Sequence, residues 1–443
     1  MIVSLQPWKN CFNNGDPNLN SLKLAKIKAV SGRVTLPGSK SLSNRALLLA
    51  ALSKGHCELL NLLKSDDTAR MIDALKTLGV KLTQHGSSCE VEGIGKSFDI
   101  GLNTLNLDLG NAGTAMRPLC AALAFSRGVF RLTGEQRMLE RPIGPLCEAL
   151  KSCGIHIDYL NNDGYPPLMV RGAKALRSEI EIDGSLSSQF ITALLMAAPL
   201  AGGLKIKVSG DLISKPYVDL TCALMQNFGV SVQRRGYSEF SVKPDQYYCS
   251  PATYMIEGDA TGATYFAAAA AIAGKVEIYG LGKHSTQGDT RFLEVLERMG
   301  ADVIRGDTSV TVSKAEKLHG IEIDMNSMPD AAMTLVPMAL YTDSPVTITN
   351  IASWRVKETD RIEAMACEMS KLGVKVESGE DFISIDASQR NADIPVFSTY
   401  NDHRMAMCMS LIAFDRDIVI NDPECVGKTF PSYFKELKSI SIE

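Results

Sequence analysis

Six times along this chain a polar cluster runs straight into a stretch that is apolar on nearly every side. The stretches begin at Ser39 (SKSLSNRALLLAALS), Asn111 (NAGTAMRPLCAALA), Ser185 (SLSSQFITALLMAAPLA), Asp259 (DATGATYFAAAAAIAG), Asp330 (DAAMTLVPMAL) and Asn401 (NDHRMAMCMSLIAF), in steps of 72, 74, 74, 71 and 71 residues. A helix without a polar face is buried all round, so the pattern predicts six core helices, with AAAAAIA at 267–273 the extreme case. A second pattern keeps the same period. Amphipathic helical stretches close on Gly79, Gly154, Gly229, Gly300 and Gly373, each followed by alternating apolar residues (DALKTLGVKL, EALKSCGIHI, ALMQNFGVSV, EVLERMGADV, CEMSKLGVKV). Each glycine stands where a helix takes a left-handed residue after its last turn, and the alternation beyond it starts a strand. Glu294, Glu297 and Arg298 form the polar face of one such helix, which puts this second set outside.

Between the helices, EIEID (179–183), LKIKVSG (204–210), KVEIYG (275–280) and VTITN (346–350) alternate or are β-branched and read as strands. A fixed period with a fixed element order is the signature of repeated units. At 443 residues the chain is also too long for one ordinary core. The expected fold class is α/β: two domains, each of three repeated α/β units with buried parallel helices and outer sheets, an inside-out α/β barrel-like arrangement. The boundary is expected near Glu257–Gly258, giving a first domain over 39–257 and a discontinuous second domain over 1–38 plus 258–443. The last helix, YFKELKS (433–439), leaves no room for its strands, so the sixth unit is expected to borrow them from IKAVSGRV (27–34) and bring the chain ends together. Residues before about Lys23 read as a polar, Asn-rich lead-in without an assigned role.

Parallel core helices have their N-termini at one end of each domain, and two such ends facing each other form a cleft that suits an anion. The helix dipole supplies only about 0.3–1 kcal/mol, against about 8 kcal/mol for micromolar binding, so side chains must carry the affinity. In LPGSKSLSNRALLLAALS, Ser39 or Ser41 can cap the helix, Ser41 and Arg45 share a face, and Lys40 adds a second cation. The outer helices begin at ERPIGPL, SKPYVDL, KETDRIEAM and GKTFPSYF. Together these starts bring Lys40, Arg45, Arg141, Lys357, Arg361, Arg404 and Lys428 to one cleft, facing Asp330 and Glu358. Arginine forks match carboxylate and phosphate, lysine adds a point charge with an exchangeable proton, and the two acids are candidate proton acceptors. Seven cations on separate domains repel, so the domains are expected to close when an anionic ligand neutralises them.

Composition narrows the alternatives. Hydrophobic residues make up 45% and charged residues 22%, a globular balance. A net charge of −4 disfavours a nucleic-acid partner held by bulk charge. Eleven cysteines with no CxxC pair read as reduced thiols in a cytoplasmic protein, and six histidines without HxH or HxxxH spacing give no zinc site. No apolar run of membrane-spanning length and no signal-peptide pattern occurs. PGSKS lacks the GxxxxGK[ST] spacing of a P-loop, and no GxGxxG follows a strand. Cys120, inside an apolar helix, reads as core rather than nucleophile, and His403 is open between cap, acid/base group and packing.

The motifs LPGSKSLSNRALLLAAL, LGNAGTAMRPL, GSLSSQF, SKPY, PDAAM, WRVKETDR, NDHRMAM and GKTFP, in this order, resemble the EPSP synthase (3-phosphoshikimate 1-carboxyvinyltransferase) family from about Ile27 to the end. The resemblance implies two domains of three units and transfer of the enolpyruvyl group of phosphoenolpyruvate to the 5-hydroxyl of shikimate 3-phosphate. It also implies release of phosphate, with no metal or cofactor, and a monomer. It implies that Lys40, Ser41, Arg45, Ser187, Ser188, Gln189, Ser214, Tyr217, Asp330, Ser353 and Lys357 hold shikimate 3-phosphate, with the first domain on that substrate's side. Lys40, Asn111, Gly113, Arg141, Gln189, Arg361, Arg404 and Lys428 are implied to hold phosphoenolpyruvate. Asp330 is implied to be the base, and Glu358 with Lys40 the proton carriers. Gly113 is implied to leave room beside phosphoenolpyruvate and to go with inhibition by glyphosate. Ser353 stands where many members have Asn, and about 20 N-terminal residues have no counterpart.

Two other readings stay in view. The sister enolpyruvyl transferase acting on UDP-N-acetylglucosamine uses a loop cysteine, and no thiol in a loop-like context lies between Gly113 and Arg141. A catalytically silent anion-binding protein would not need Asp330 and Glu358 beside the full cation set.

Overall fold

Residues 20–442 are described by a computed structural model, so most of the N-terminal lead-in lies outside the described residues. The expected unit recurs: a strand, a buried helix, a parallel strand, an outer helix and a hairpin that completes the sheet. Asp99–Asp108, Gly113–Ala124, Arg127–Thr133, Gly144–Ser152, His156–Tyr159 and Leu168–Gly172 form one complete copy. Its strands pair parallel, then antiparallel, then antiparallel. The sheets around Leu204–Ser209 and Val346–Thr349 repeat that pattern.

The outer helices end as the glycine spacing requires. Gly79 has φ +89°, a left-handed conformation costly for any residue with a Cβ. Its four counterparts, at φ +88°, +83°, +107° and +72°, repeat the device. In Phe292–Arg298 the apolar Phe292, Leu293, Val295 and Leu296 are buried, while Glu294 and Glu297 face water. The core helix Ala260–Ala273 is buried from Ala260 to Ile272. Core helices of neighbouring units are tied at equivalent positions 70 residues apart: Asn44 Nδ2 donates to Thr114 Oγ1 at 2.6 Å, and the Thr264 and Thr334 hydroxyls lie 2.8 Å apart.

Two apolar cores result. One gathers side chains between Leu42 and Ile256, the other Ile27–Leu36 together with Ala260 to Ile440. We refer to these as the first and second lobes.

Three expectations need correction. Ala29–Thr35 does not serve the sixth unit; it pairs parallel with Gly274–Tyr279 in the fourth unit's sheet, and the chain end Ser441–Ile442 pairs on its other side. The sixth unit instead takes Ser21–Leu24 beside Ile418–Asn421. In exchange, Thr253–Met255 crosses to pair with Lys54–Leu60 in the first lobe. The two crossing segments run side by side, with Ser39 N donating to Glu257 O at 2.8 Å and Asp259 N to Pro37 O at 2.9 Å. Only glycine fits at position 38, because a Cβ there would lie 1.8 Å from Asn61 O. The fifth core helix is broken into Pro329–Ala332, Leu335–Met338 and the tight turn Ala339–Tyr341, since Pro337 has no N–H to give and its ring crowds the preceding turn. Finally, Ser39 precedes the helix Lys40–Leu52 without a side-chain capping bond.

Candidate active site

The helix starts of both lobes face one cavity between them. Of the residues named from sequence, it is lined by Lys40, Ser41, Arg45, Gly113, Arg141, Ser187, Ser188, Gln189, Ser214 and Tyr217 of the first lobe. From the second lobe come Asp330, Ser353, Lys357 and Glu358. The remaining four join through contacts. Arg404 borders an adjoining smaller cavity with Lys40, Ser41 and Tyr217. Arg361 binds Asp330 and Glu358, and Lys428 binds Glu358. The Asn111 carbonyl accepts from both Arg141 Nη1 (3.2 Å) and Lys428 Nζ (3.1 Å).

Local structure explains each placement in the first lobe. Arg45, one turn into its helix, is fixed by Thr221 Oγ1 at 2.9 Å from Nε and by Ser41 O at 2.9 Å from Nη1. Ser187 caps Ser188–Ala197, its Oγ accepting from Gln189 N at 3.3 Å, which leaves the buried Ser188 and the half-buried Gln189 in the first turn, lining the cavity. Ser214 takes a left-handed φ of +53° just before Lys215–Asn227, and its N–H donates across the lobes to Asn326 Oδ1 at 3.3 Å.

The second lobe supplies an ion-pair lattice. Asp330 Oδ1 receives Arg361 Nη1 at 2.9 Å and Lys357 Nζ at 3.4 Å, while its Oδ2 receives Arg404 Nη2 at 3.0 Å. Arg361 continues to Glu358 Oε2 at 2.9 Å and to Asp402 Oδ2 at 2.7 Å. Glu358 Oε1 faces Lys428 Nζ at 3.4 Å. Burial alone would raise the Asp330 carboxyl, but Arg404, Lys357 and Arg361 outweigh it and hold the group well below the usual carboxylate range. Glu358 is held low in the same way, burial being overcome by Lys428, Arg361, Arg141 and Lys40. Burial lowers Lys40 from the ordinary lysine value, with Asp67 and then Glu358 opposing.

Several residues of this site were not foreseen from the sequence. Asp67 is buried 3.7 Å from Lys40 Nζ and 3.9 Å from Lys428 Nζ, and Asp402 pairs with Arg361, so the cation excess is smaller than two acids would leave. Asp67 lies in the first turn of Asp66–Thr77, the same phase of the repeat as the charged starts of the other outer helices, and that phase was the available signal. Arg117, beside Gly113, donates to Pro142 O at 2.9 Å. The buried Nε atoms of Arg117, Arg141 and Arg404 have no acceptor among the described residues. Unpaired buried donors are rare in folded proteins, and these three belong to arginines that line this cavity or the adjoining one. His403 is fully buried, neither ring nitrogen has a hydrogen-bond partner among the described residues, and burial, with Lys40 and Arg404 nearby, keeps it neutral. Asp402 provides the cap instead, accepting from Arg404 N at 2.9 Å.

Comparison with known proteins shows the family and the fold. A family model described as EPSP synthase (3-phosphoshikimate 1-carboxyvinyltransferase) matches residues 24–437. The 3-phosphoshikimate 1-carboxyvinyltransferase of Aeromonas salmonicida is 53% identical, covering 96% of this chain and 99% of the relative. That of Tolumonas auensis is 52% identical, covering 96% and 100%. In fold, the chain is similar to an EPSP synthase structure from Acinetobacter baumannii, with TM-score 0.79, 24% identity and coverage of 95% and 98%. The enolpyruvyl transferase NikO from Streptomyces tendae superposes with TM-score 0.75 at 16% identity, covering 96% and 98%.

Proposed function

That this chain belongs to the EPSP synthase family is the premise from which we infer how its cleft divides the work. The protein is a transferase of the shikimate pathway, which leads to the aromatic amino acids. It moves the enolpyruvyl group of phosphoenolpyruvate to the 5-hydroxyl of shikimate 3-phosphate and releases phosphate.

In our reading Ser187, Ser188 and Ser214 grip the 3-phosphate. Lys40, Ser41, Arg45, Gln189 and Tyr217 complete the first-lobe side of that substrate, and Asp330, Ser353 and Lys357 meet it from the second lobe. Phosphoenolpyruvate lies among Lys40, Asn111, Gly113, Arg141, Gln189, Arg361, Arg404 and Lys428. Asp330, kept ionised by its three cations, takes the 5-hydroxyl proton as that oxygen bonds to C2 of phosphoenolpyruvate. Of the proton carriers Glu358 and Lys40, the ammonium of Lys40 delivers the proton to the methylene carbon, and the ionised Glu358 stands ready to accept one. The resulting tetrahedral intermediate carries a phosphate and a carboxylate, which the fixed cations stabilise. Collapse breaks the C2–O bond to phosphate, and the methyl group returns its proton to the same pair.

The observation that carries this reading is the meeting of the two lobes' charged groups around one cavity, with three buried arginine Nε donors unpaired. The test is phosphate release from phosphoenolpyruvate with shikimate 3-phosphate or UDP-N-acetylglucosamine as acceptor. Release with the first alone is expected; release only with the second would move the reading to the sister transferase. Glu358→Gln and Asp330→Asn, assayed alongside, are each expected to lose turnover while still binding shikimate 3-phosphate.

We read the two lobes as domains over 39–257 and over 1–38 plus 258–443, and the enzyme as a monomer. A cytoplasmic location is supported by buried thiols such as Cys57, Cys120 and Cys408, which form no disulfide. No helix among the described residues is long and apolar enough to cross a membrane.

A further inference from the structure

The segment carrying Lys357 and Glu358 is irregular, lying between the tight turn Ala352–Val356 and the helix Arg361–Ser370. Both its side chains face the reaction: Lys357 Nζ is 3.4 Å from Asp330, and Glu358 reaches Arg361 and Lys428. Its backbone, however, is held from the other lobe. Arg137, in the short helix Gln136–Leu139, places Nη2 2.8 Å and Nε 3.1 Å from the Lys357 carbonyl, and Nε 3.1 Å from the Glu358 carbonyl. The guanidinium is aligned beforehand by its own lobe. Glu140 Oε2 accepts from Nη1 at 3.2 Å, and Glu140 is itself held by Gln136 Nε2 at 3.2 Å. Four residues on, the same segment sends Arg141 into the cavity.

We propose that Arg137 is a positioning residue: it touches no reacting atom, but on contact between the lobes it locks the Lys357–Glu358 backbone so that both side chains reach their working places. A planar fork can hold two successive carbonyls at once, which an ammonium cannot. Because the bonds cross the lobes, they form only when the cleft is shut. The contact therefore links closure to a competent proton carrier, and displacement by one ångström costs such a group much of its effect.

The inference rests on the roles assigned above to Lys357 and Glu358. The test compares wild type with Arg137→Ala, Arg137→Gln and Glu358→Gln. Arg137→Ala is expected to lower kcat by about 50-fold or more, with the Kd for shikimate 3-phosphate and the KM values raised, through Lys357, by no more than about fivefold and Tm within a few degrees of wild type. Added guanidinium chloride at tens of millimolar is expected to restore kcat of Arg137→Ala at least fivefold, while leaving wild type and Glu358→Gln unimproved. Arg137→Gln, which keeps an amide donor and replaces the alanine variant if that does not fold, should fall between. An Arg137 variant with kcat within twofold of wild type overturns the proposal. So does a fall in kcat matched by lost substrate binding, or one that guanidinium does not repair. Turnover surviving Glu358→Gln overturns the role of Glu358 itself. An inactive Glu358→Gln beside an active Arg137→Ala overturns only the positioning.

Discussion

Asp330 and Arg404 stand 74 residues apart, near equivalent points of successive repeats, and their side chains meet at 3.0 Å. The repeat that builds the core thus also delivers an acid and a base to one place, each at the start of its own helix.

One consequence is the acid side of the rate profile. Asp330 and Glu358 are both held well below the usual carboxylate range. Their stabilisation of the fold is therefore present above the unfolded value of about 4 and is lost only as pH falls through the lower folded value. Turnover should accordingly show no acid limb from either carboxylate between pH 5 and 7, whereas Asp330→Asn should lose about 10²–10⁴-fold in kcat at every pH in that range. A profile of kcat against pH for both enzymes checks this.

A methyl group at Gly113 would lie 2.7 Å from Arg141 Nη2 and 3.0 Å from Arg117 Nη1, and both arginines are pinned, by Asn111 and by Pro142. Gly113→Ala should therefore shift Arg141. Losing one charge-assisted hydrogen bond costs about 1.5–3 kcal/mol, or about 10–150-fold in affinity. The KM for phosphoenolpyruvate and the inhibition constant of glyphosate are both expected to rise within that range, as inhibition kinetics on the variant would record.

Asp67 supports the charge of Lys40, which burial already depresses. In Asp67→Asn the ammonium should lose its proton more readily, so the alkaline limb of kcat/KM should move to lower pH than in wild type. A limb that stays in place would remove Lys40 as the group that causes it.

Asp289, beside the adjoining cavity, is pushed up to about 7, burial being the largest cause and the charge of Asp330 the next. As pH rises from about 4, the unfolded carboxyl ionises while the folded one stays protonated, so the fold is increasingly penalised until about pH 7. Asp289→Asn keeps an acceptor for the Thr261 hydroxyl and removes that penalty. It should be more stable than wild type at pH 8, by up to about 4 kcal/mol, with the gap closing toward pH 4. Denaturant titrations at the two pH values would measure it.

What could be read from one sequence divides along a physical line. The helix-ending glycines, the all-apolar core helices and the charged helix starts are local patterns, and the structure has each of them where the period puts it. Asp67 was equally local but stood in one of the two outer-helix starts set aside. Arg137 could not be found this way, because its partners are backbone carbonyls, which carry no residue identity. The destination of Ala29–Thr35 was likewise hidden, since a strand's sequence specifies which face is buried rather than which sheet it enters.

That strand has a bearing on how the protein comes into being. Ala29–Thr35 leaves the ribosome about 245 residues ahead of its parallel partner Gly274–Tyr279, which is made only after the whole first lobe. At about 5–20 residues per second the wait is roughly 10–50 s. Throughout it, that strand lacks its parallel partner, while the first lobe lacks Thr253–Met255 until its own synthesis is nearly done. Birth of this enzyme is therefore a two-ended affair, in which the earliest segment must be kept from strangers until the chain's latter half arrives to claim it.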